Sequence, residues 1–119
     1  MQAPVATMGV RHPRPQVAVI DIGGEVTSHC EEVLMGAYED ASTSGTKGIV
    51  LNFDGLDYMN SGGIGMLVTL LVRANRNKQK LAACGLTPHY QHIFAITRLS
   101  DFIAVYPDVP TALSGATTS

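Results

Sequence analysis

Residues 48–53 read GIVLNF, a run so nearly apolar that it leaves no face for water. A segment this short and this apolar fits an internal strand of a sheet that is covered on both sides. Such a strand needs a layer above and a layer below, and the flanking sequence supplies them. VAVIDI (17–22) is a strand rich in β-branched residues, KLAACG (80–85) a short second internal strand, and FIAVY (102–106) a last one. Between these runs the hydrophobic period turns helical. After GGEVTS, the residues Cys30, Val33, Leu34, Ala37 and Ala41 recur at helical spacing, and Ser28 with Glu31 has the form of a capping box. STSGT (42–46) ends that helix. A second helix is expected up to about Asn77, with Ile64, Leu67, Val68, Leu71 and Ala74 buried. Thr87 and Pro88 open a third helix as cap and first helical residue, and Asp108 caps a short fourth.

Strands separated by helices pair in parallel through right-handed crossovers. The expected fold is therefore a single small α/β domain: a mostly parallel mixed sheet of about five strands with about four helices. VATMGV (5–10) is the expected first strand, paired as a hairpin with 17–22. RHPRP (11–15) reads as a loop, because two prolines break a ladder. Glu25, Asp54 and Asp57 are expected in turns at strand ends. The domain spans 1–119, with a core of about 5–113 and SGATTS (114–119) as a frayed tail.

Composition excludes several classes of function. In 119 residues, 45% are hydrophobic and 15% charged, which marks a folded globule, and the net charge is −2. Arg73, Arg76, Lys78 and Lys80 are the densest basic group and read as the wet end of a helix, so no direct nucleic-acid contact is expected. No apolar run is long enough to span a bilayer and no signal-peptide core is present, so no membrane anchor is expected. Cys30 and Cys84, far apart and in apolar settings, read as reduced core thiols of a cytoplasmic protein.

The chemistry concentrates in LDYMNSGGIGML (56–67), where Ser61 sits at a strand-to-helix join. Ser61 or Asn60 can cap the helix, with the hydroxyl or amide oxygen accepting from an amide near Gly63 or Ile64. Gly62 and Gly63 are expected to leave the first-turn amides open, and the helix dipole makes that spot favourable for an anion, including a phosphate on Ser61 itself. Such a modification adds about −1.5 to −2 charge at little cost to the fold. Met66 and Leu70 lie outside the expected core stripe and suggest a contact patch, unless a neighbouring helix covers them.

Competing chemistries fit less well. A nucleophile elbow wants glycine two residues before the serine, where Met59 stands, and nothing local ties His89, His92, Asp54, Asp57 or Asp101 to Ser61. SGGIGM lacks the lysine of a phosphate-binding loop. His89 and His92 share a helical face with no third ligand nearby, and read as solvent-facing. No cofactor or metal is expected.

Three stretches together resemble the STAS domain shared by anti-sigma factor antagonists and the cytoplasmic ends of sulfate transporters. They are VAVIDIGGEVTS, GIVLNFDGLDYMNSGGIGML and KLAACGLTPHYQHIFAITRLSDFIAVYPD, and the likeness runs over about 17–113. The soluble, single-domain length is similar to the antagonists. The resemblance implies a regulator without catalysis of its own. It binds a serine protein kinase that doubles as an anti-sigma factor, is released when that kinase phosphorylates a serine matching Ser61, and is restored by a phosphatase. Gly24, Glu25 and Thr27, with Met59, Asn60, Gly62, Gly63, Met66 and Leu70, would then belong to the partner surface. Three positions depart from the pattern: Asn60 stands where Asp is common, Gly62 where Ser or Thr is, and Thr27 where Asp is. Two expected carboxylates are thus neutral. The alternative is a STAS-fold binding or scaffold module of another signalling pathway, with a weak nucleotide or anion site and no phosphorylation. The oligomeric state is not legible.

Overall fold

A computed structural model of the chain describes residues 6–43 and 45–117. Its elements are β1 (Thr7–Arg14), β2 (Val17–Val26), a 3₁₀ turn (Ser28–Cys30), α1 (Glu31–Ala41), β3 (Gly48–Met59), α2 (Ser61–Arg76), β4 (Lys80–Cys84), α3 (Pro88–Ile96), a second 3₁₀ turn (Leu99–Asp101), β5 (Ala104–Tyr106) and α4 (Val109–Thr117). The five strands lie in sequence order in one sheet, β1 antiparallel to β2 and every later pair parallel. The expected α/β architecture and the β1–β2 hairpin are both present.

Strand order explains the layering. Right-handed crossovers that always step in the same direction put their helices on one face. The face carrying Ala18, Ile20, Ile22, Ile49, Leu51, Phe53, Leu81 and Ala83 shares one core with residues of α1, α2 and α3. The opposite face presents Val17, Val19, Val50, Ala82 and Cys84, and these pack with Ala112, Val109 and Leu113 of α4. This two-sided cover is what the GIVLNF run demands.

Several local expectations are corrected. The first strand continues through 11–14, where a loop was expected; Val5 lies outside the described residues. Pro13 is tolerated because β1 is an edge strand whose register slips between Arg11 and Arg14, leaving it outside the regular ladder, and Pro15 lies in the turn after the strand. β3 runs on to Met59, so Glu25, Asp54 and Asp57 lie within strands. The Ser28/Glu31 capping box does not form. Thr27 caps the 3₁₀ turn instead, its hydroxyl accepting from the His29 amide at 3.2 Å. Val33 is exposed, and its expected place in the core is taken by Tyr38. The Tyr38 hydroxyl donates to Gln79 Oε1 at 2.6 Å and accepts from Asn77 Nδ2 at 2.7 Å, which ties α1 to the chain beyond α2. Thr87 and Pro88 do open α3, though the Thr87 hydroxyl makes no cap bond. Asp108 caps α4, its Oδ1 accepting from the Thr111 amide at 2.9 Å. Of the expected tail, 114–117 are helical and 118–119 lie outside the described residues.

Candidate functional site

The register of β3 builds the region around Ser61. Its ladder to β4 stops at Asn52 opposite Cys84, while its ladder to β2 continues to Met59 opposite Val26. The last residues of β2 and β3 thus form a two-stranded arm, and the 3₁₀ turn and α2 both start from its end.

Asn60, not Ser61, is the N-cap of α2. Its backbone is extended (φ −100°, ψ −176°), its Oδ1 accepts from the Gly63 amide at 3.0 Å, and its carbonyl accepts from the Ile64 amide at 3.0 Å. Its own amide donates to the Val26 carbonyl at 3.2 Å. Ser61 takes the first helical position with its side chain in solvent. A helix interior begins beneath it and no acidic residue lies in the first turn, so the partial positive charge of the helix start is uncompensated there.

Gly62 and Gly63 do not hold the first turn open, as the sequence suggested. The Gly63 amide is already taken by Asn60, and both glycines stand close against neighbouring atoms, Gly63 buried and Gly62 partly exposed. A Cβ added at Gly63 would lie 2.5 Å from the Val26 carbonyl oxygen and 2.8 Å from Met59 Cγ. One added at Gly62 would lie 3.0 Å from both the Cβ and the amide nitrogen of Ser28. The glycines let α2 press its first turn against 26–28, which joins the two expected partner segments into one surface.

The nine expected partner residues divide by depth. Gly24, Glu25, Thr27, Asn60 and Gly62 are partly exposed, and Gly24 has the left-handed φ of +81° at a register shift in β2. Met59, Gly63, Met66 and Leu70 are buried. The contact patch expected at Met66 and Leu70 is therefore corrected, since both side chains are buried in the core that the sheet shares with α1, α2 and α3. Val68, expected in the core, is 45% exposed, and so is Val72. The outer face of α2 instead runs Ser61, Gly65, Val68, Thr69, Val72.

Met59 is 4% exposed, and its backbone is held from α3: its amide donates to the Tyr90 hydroxyl at 2.8 Å, and that hydroxyl donates to the Met59 carbonyl at 3.4 Å. Nothing in the sequence pattern marks Tyr90, which shares the short α3 helix with the buried Phe94.

The other tempting residues lie apart. His89 and His92 are exposed on α3, and His89 stacks edge-on against Tyr90 with ring centroids 4.9 Å apart. Asp101 pairs with Arg98 at 2.9 Å. Among the described residues no hydrogen bond joins Ser61 to a histidine or carboxylate, and no three His, Cys, Asp or Glu side chains are grouped to hold a metal ion. No helix among them is long and apolar enough to cross a membrane. Cys30 and Cys84 are buried. Burial, with the nearby carboxylates of Asp108, Asp21 and Asp54 adding to it, pushes the Cys84 thiol up to about 11. Asp21 is held below its ordinary value by the Arg11 guanidinium, bound at 2.6 and 2.9 Å, and by Asn52 Nδ2 at 2.8 Å.

The chain is similar to known proteins in sequence and in fold. Residues 11–112 match the family model described as the STAS domain. The anti-sigma-B factor antagonist of Staphylococcus aureus is 32% identical over 90 residues, covering 72% of this chain and 80% of that protein. Among solved structures, an anti-sigma factor antagonist from Mycobacterium paratuberculosis superposes with a TM-score of 0.78 at 17% identity, over 94% of each chain. The Bacillus cell fate determinant SpoIIAA in its phosphorylated form gives 0.66 at 16%, over 92% of this chain and 98% of that one.

Proposed function

Because the chain belongs to the STAS domain family, and within it to the anti-sigma factor antagonists, we propose that it is a phosphorylation-switched regulator of a sigma factor. It binds an anti-sigma factor that is also a serine protein kinase, and so frees the sigma factor. The kinase phosphorylates Ser61, the complex comes apart, and a phosphatase resets the cycle. All of this takes place in the cytoplasm and needs no catalysis by the chain itself.

The observation that carries this reading is the placing of Ser61. It is the exposed first residue of α2, held by a cap that leaves its hydroxyl free of the helix. A phosphate there sits on a favourable helix start, so the fold tolerates it, while a partner docked on that surface meets a new double negative charge. The docking surface consists of residues 24–28, the turn 59–62 and the outer face of α2 through Val68 and Val72.

The neutral replacements at this surface fit the same picture. Asn60 performs the capping that an aspartate would perform, and Thr27 caps the neighbouring turn. What the chain lacks relative to the common pattern is charge facing the partner, and its backbone geometry is complete.

Incubation with the cognate kinase and ATP, followed by mapping of the phosphate by mass spectrometry, tests the acceptor. Phosphate on Ser61 is expected, and phosphate placed elsewhere sinks the assignment. A Ser61→Asp variant is expected to fold normally and to lose kinase binding, whereas Ser61→Ala keeps it. Equal binding by wild type and Ser61→Asp counts against the switch.

A further inference from the structure

Among the described residues, β3 has no strand on its β4 side beyond Asn52, yet its backbone there carries the turn that presents Ser61. The Asn60 amide bonds to Val26 on the β2 side. Met59, one residue earlier, therefore turns its amide and carbonyl the other way, toward the side that β4 has vacated. Leaving both groups buried without partners would cost about 1–3 kcal/mol each. One side chain answers both: the Tyr90 hydroxyl accepts from the Met59 amide at 2.8 Å and donates to the Met59 carbonyl at 3.4 Å.

We propose that Tyr90 is a positioning residue for the Ser61 turn, with its phenol standing in for the missing strand. The end of β3 is thereby clamped between Val26 on one side and α3 on the other, and Asn60 and Ser61 follow from a fixed point. Tyr90 is 8% exposed and stacks against His89, so its ring has little freedom to leave. The geometry of the phosphoacceptor turn is consequently set by α3, an element that supplies no residue to the expected partner surface. Only this last consequence rests on the reading of Ser61 as the acceptor.

The test reads the turn without any kinase, so failure of the clamp and failure of the acceptor assignment are separate results. Amide hydrogen exchange of Asn60 and Gly63 is measured by NMR in wild type, in Tyr90→Phe, and in Tyr38→Phe as control. The control removes a buried phenol of the same kind from the far end of α2. Protection of Asn60 and Gly63 is expected to fall about tenfold or more in Tyr90→Phe and to stay within about twofold in Tyr38→Phe. Both variants are compared after correction for global stability. Equal protection in the two variants overturns the proposal. Should Tyr90→Phe not fold, exchange in the wild-type chain at rising sub-denaturing urea decides. Asn60 and Gly63 are then expected to open together with the α3 amides. Their opening independently of α3 overturns the clamp.

Discussion

Asn60 shows how one atom sets the site. Its Oδ1 satisfies the Gly63 amide at 3.0 Å, which starts α2 one residue before Ser61 and leaves the serine exposed as the first helical residue. Asn60→Ala removes that acceptor and is expected to cost about 1 kcal/mol, read as a lowered urea midpoint. Asn60→Asp keeps the cap and adds a charge that the helix start favours, for a gain of about 0.3–1 kcal/mol. The same variant supplies the acidic neighbour that the STAS resemblance leads one to expect before Ser61. The initial rate of Ser61 phosphorylation is expected to rise a few-fold, and an unchanged rate means that the kinase does not read that charge. Sequence left the cap open between Asn60 and Ser61, because both side chains can accept from the same amides. Only the path of β3, bound to Val26 through the Asn60 amide, chose between them.

At the scale of elements, α2 carries the sharpest correction. Ile64, Met66, Leu67, Val68, Leu70, Leu71 and Val72 are apolar almost all the way round, so periodicity alone leaves the rotation of the helix undecided. The start at Asn60 and the pressing of Gly62 and Gly63 against 26–28 fix that rotation, and Met66 and Leu70 turn inward. Leu70→Ala is expected to lose about 2–5 kcal/mol, as for a fully buried leucine. Val68→Ala should change stability by less than about 0.5 kcal/mol. Urea denaturation of the two variants checks the face directly, and the reverse order would place the helix in its sequence-expected orientation. Val68→Ala is also the variant expected to weaken partner binding without weakening the fold. β1 teaches the converse lesson: Pro13 was read as a strand breaker, and its edge position with a register slip makes it harmless.

Over the whole molecule, the face of the sheet that carries α4 holds the pH-sensitive groups. Asp21, bound by Arg11, and Asp108, capping α4, both titrate below the ordinary carboxylate value of 3.8. A depressed folded-state value means stability that is present above 3.8 and lost as pH falls through the lowered value. Cys84 runs the other way. Its raised value means stability that is present below 9.0 and lost as pH rises through about 11. Urea midpoints are therefore expected to be flat near neutrality and to fall at both extremes. Asp21→Asn should shrink the acid limb and also soften the alkaline one, because the Asp21 carboxylate adds to the rise at Cys84. The Arg11–Asp21 pair is half exposed, so the acid effect of that pair is small, about 0–1 kcal/mol. The sequence by itself determined the α/β class, the parallel pairing, the order of elements and the position of Ser61 at a strand-to-helix join. These follow from the spacing of apolar residues along the chain, which is local information. Tertiary structure alone decided which side of α2 is wet, which residue caps it, how far β3 outruns β4, and that Tyr90 fills the gap so left. Each of those depends on groups brought together from distant segments, and a hydrogen bond between residues 59 and 90 leaves no trace in the pattern of either.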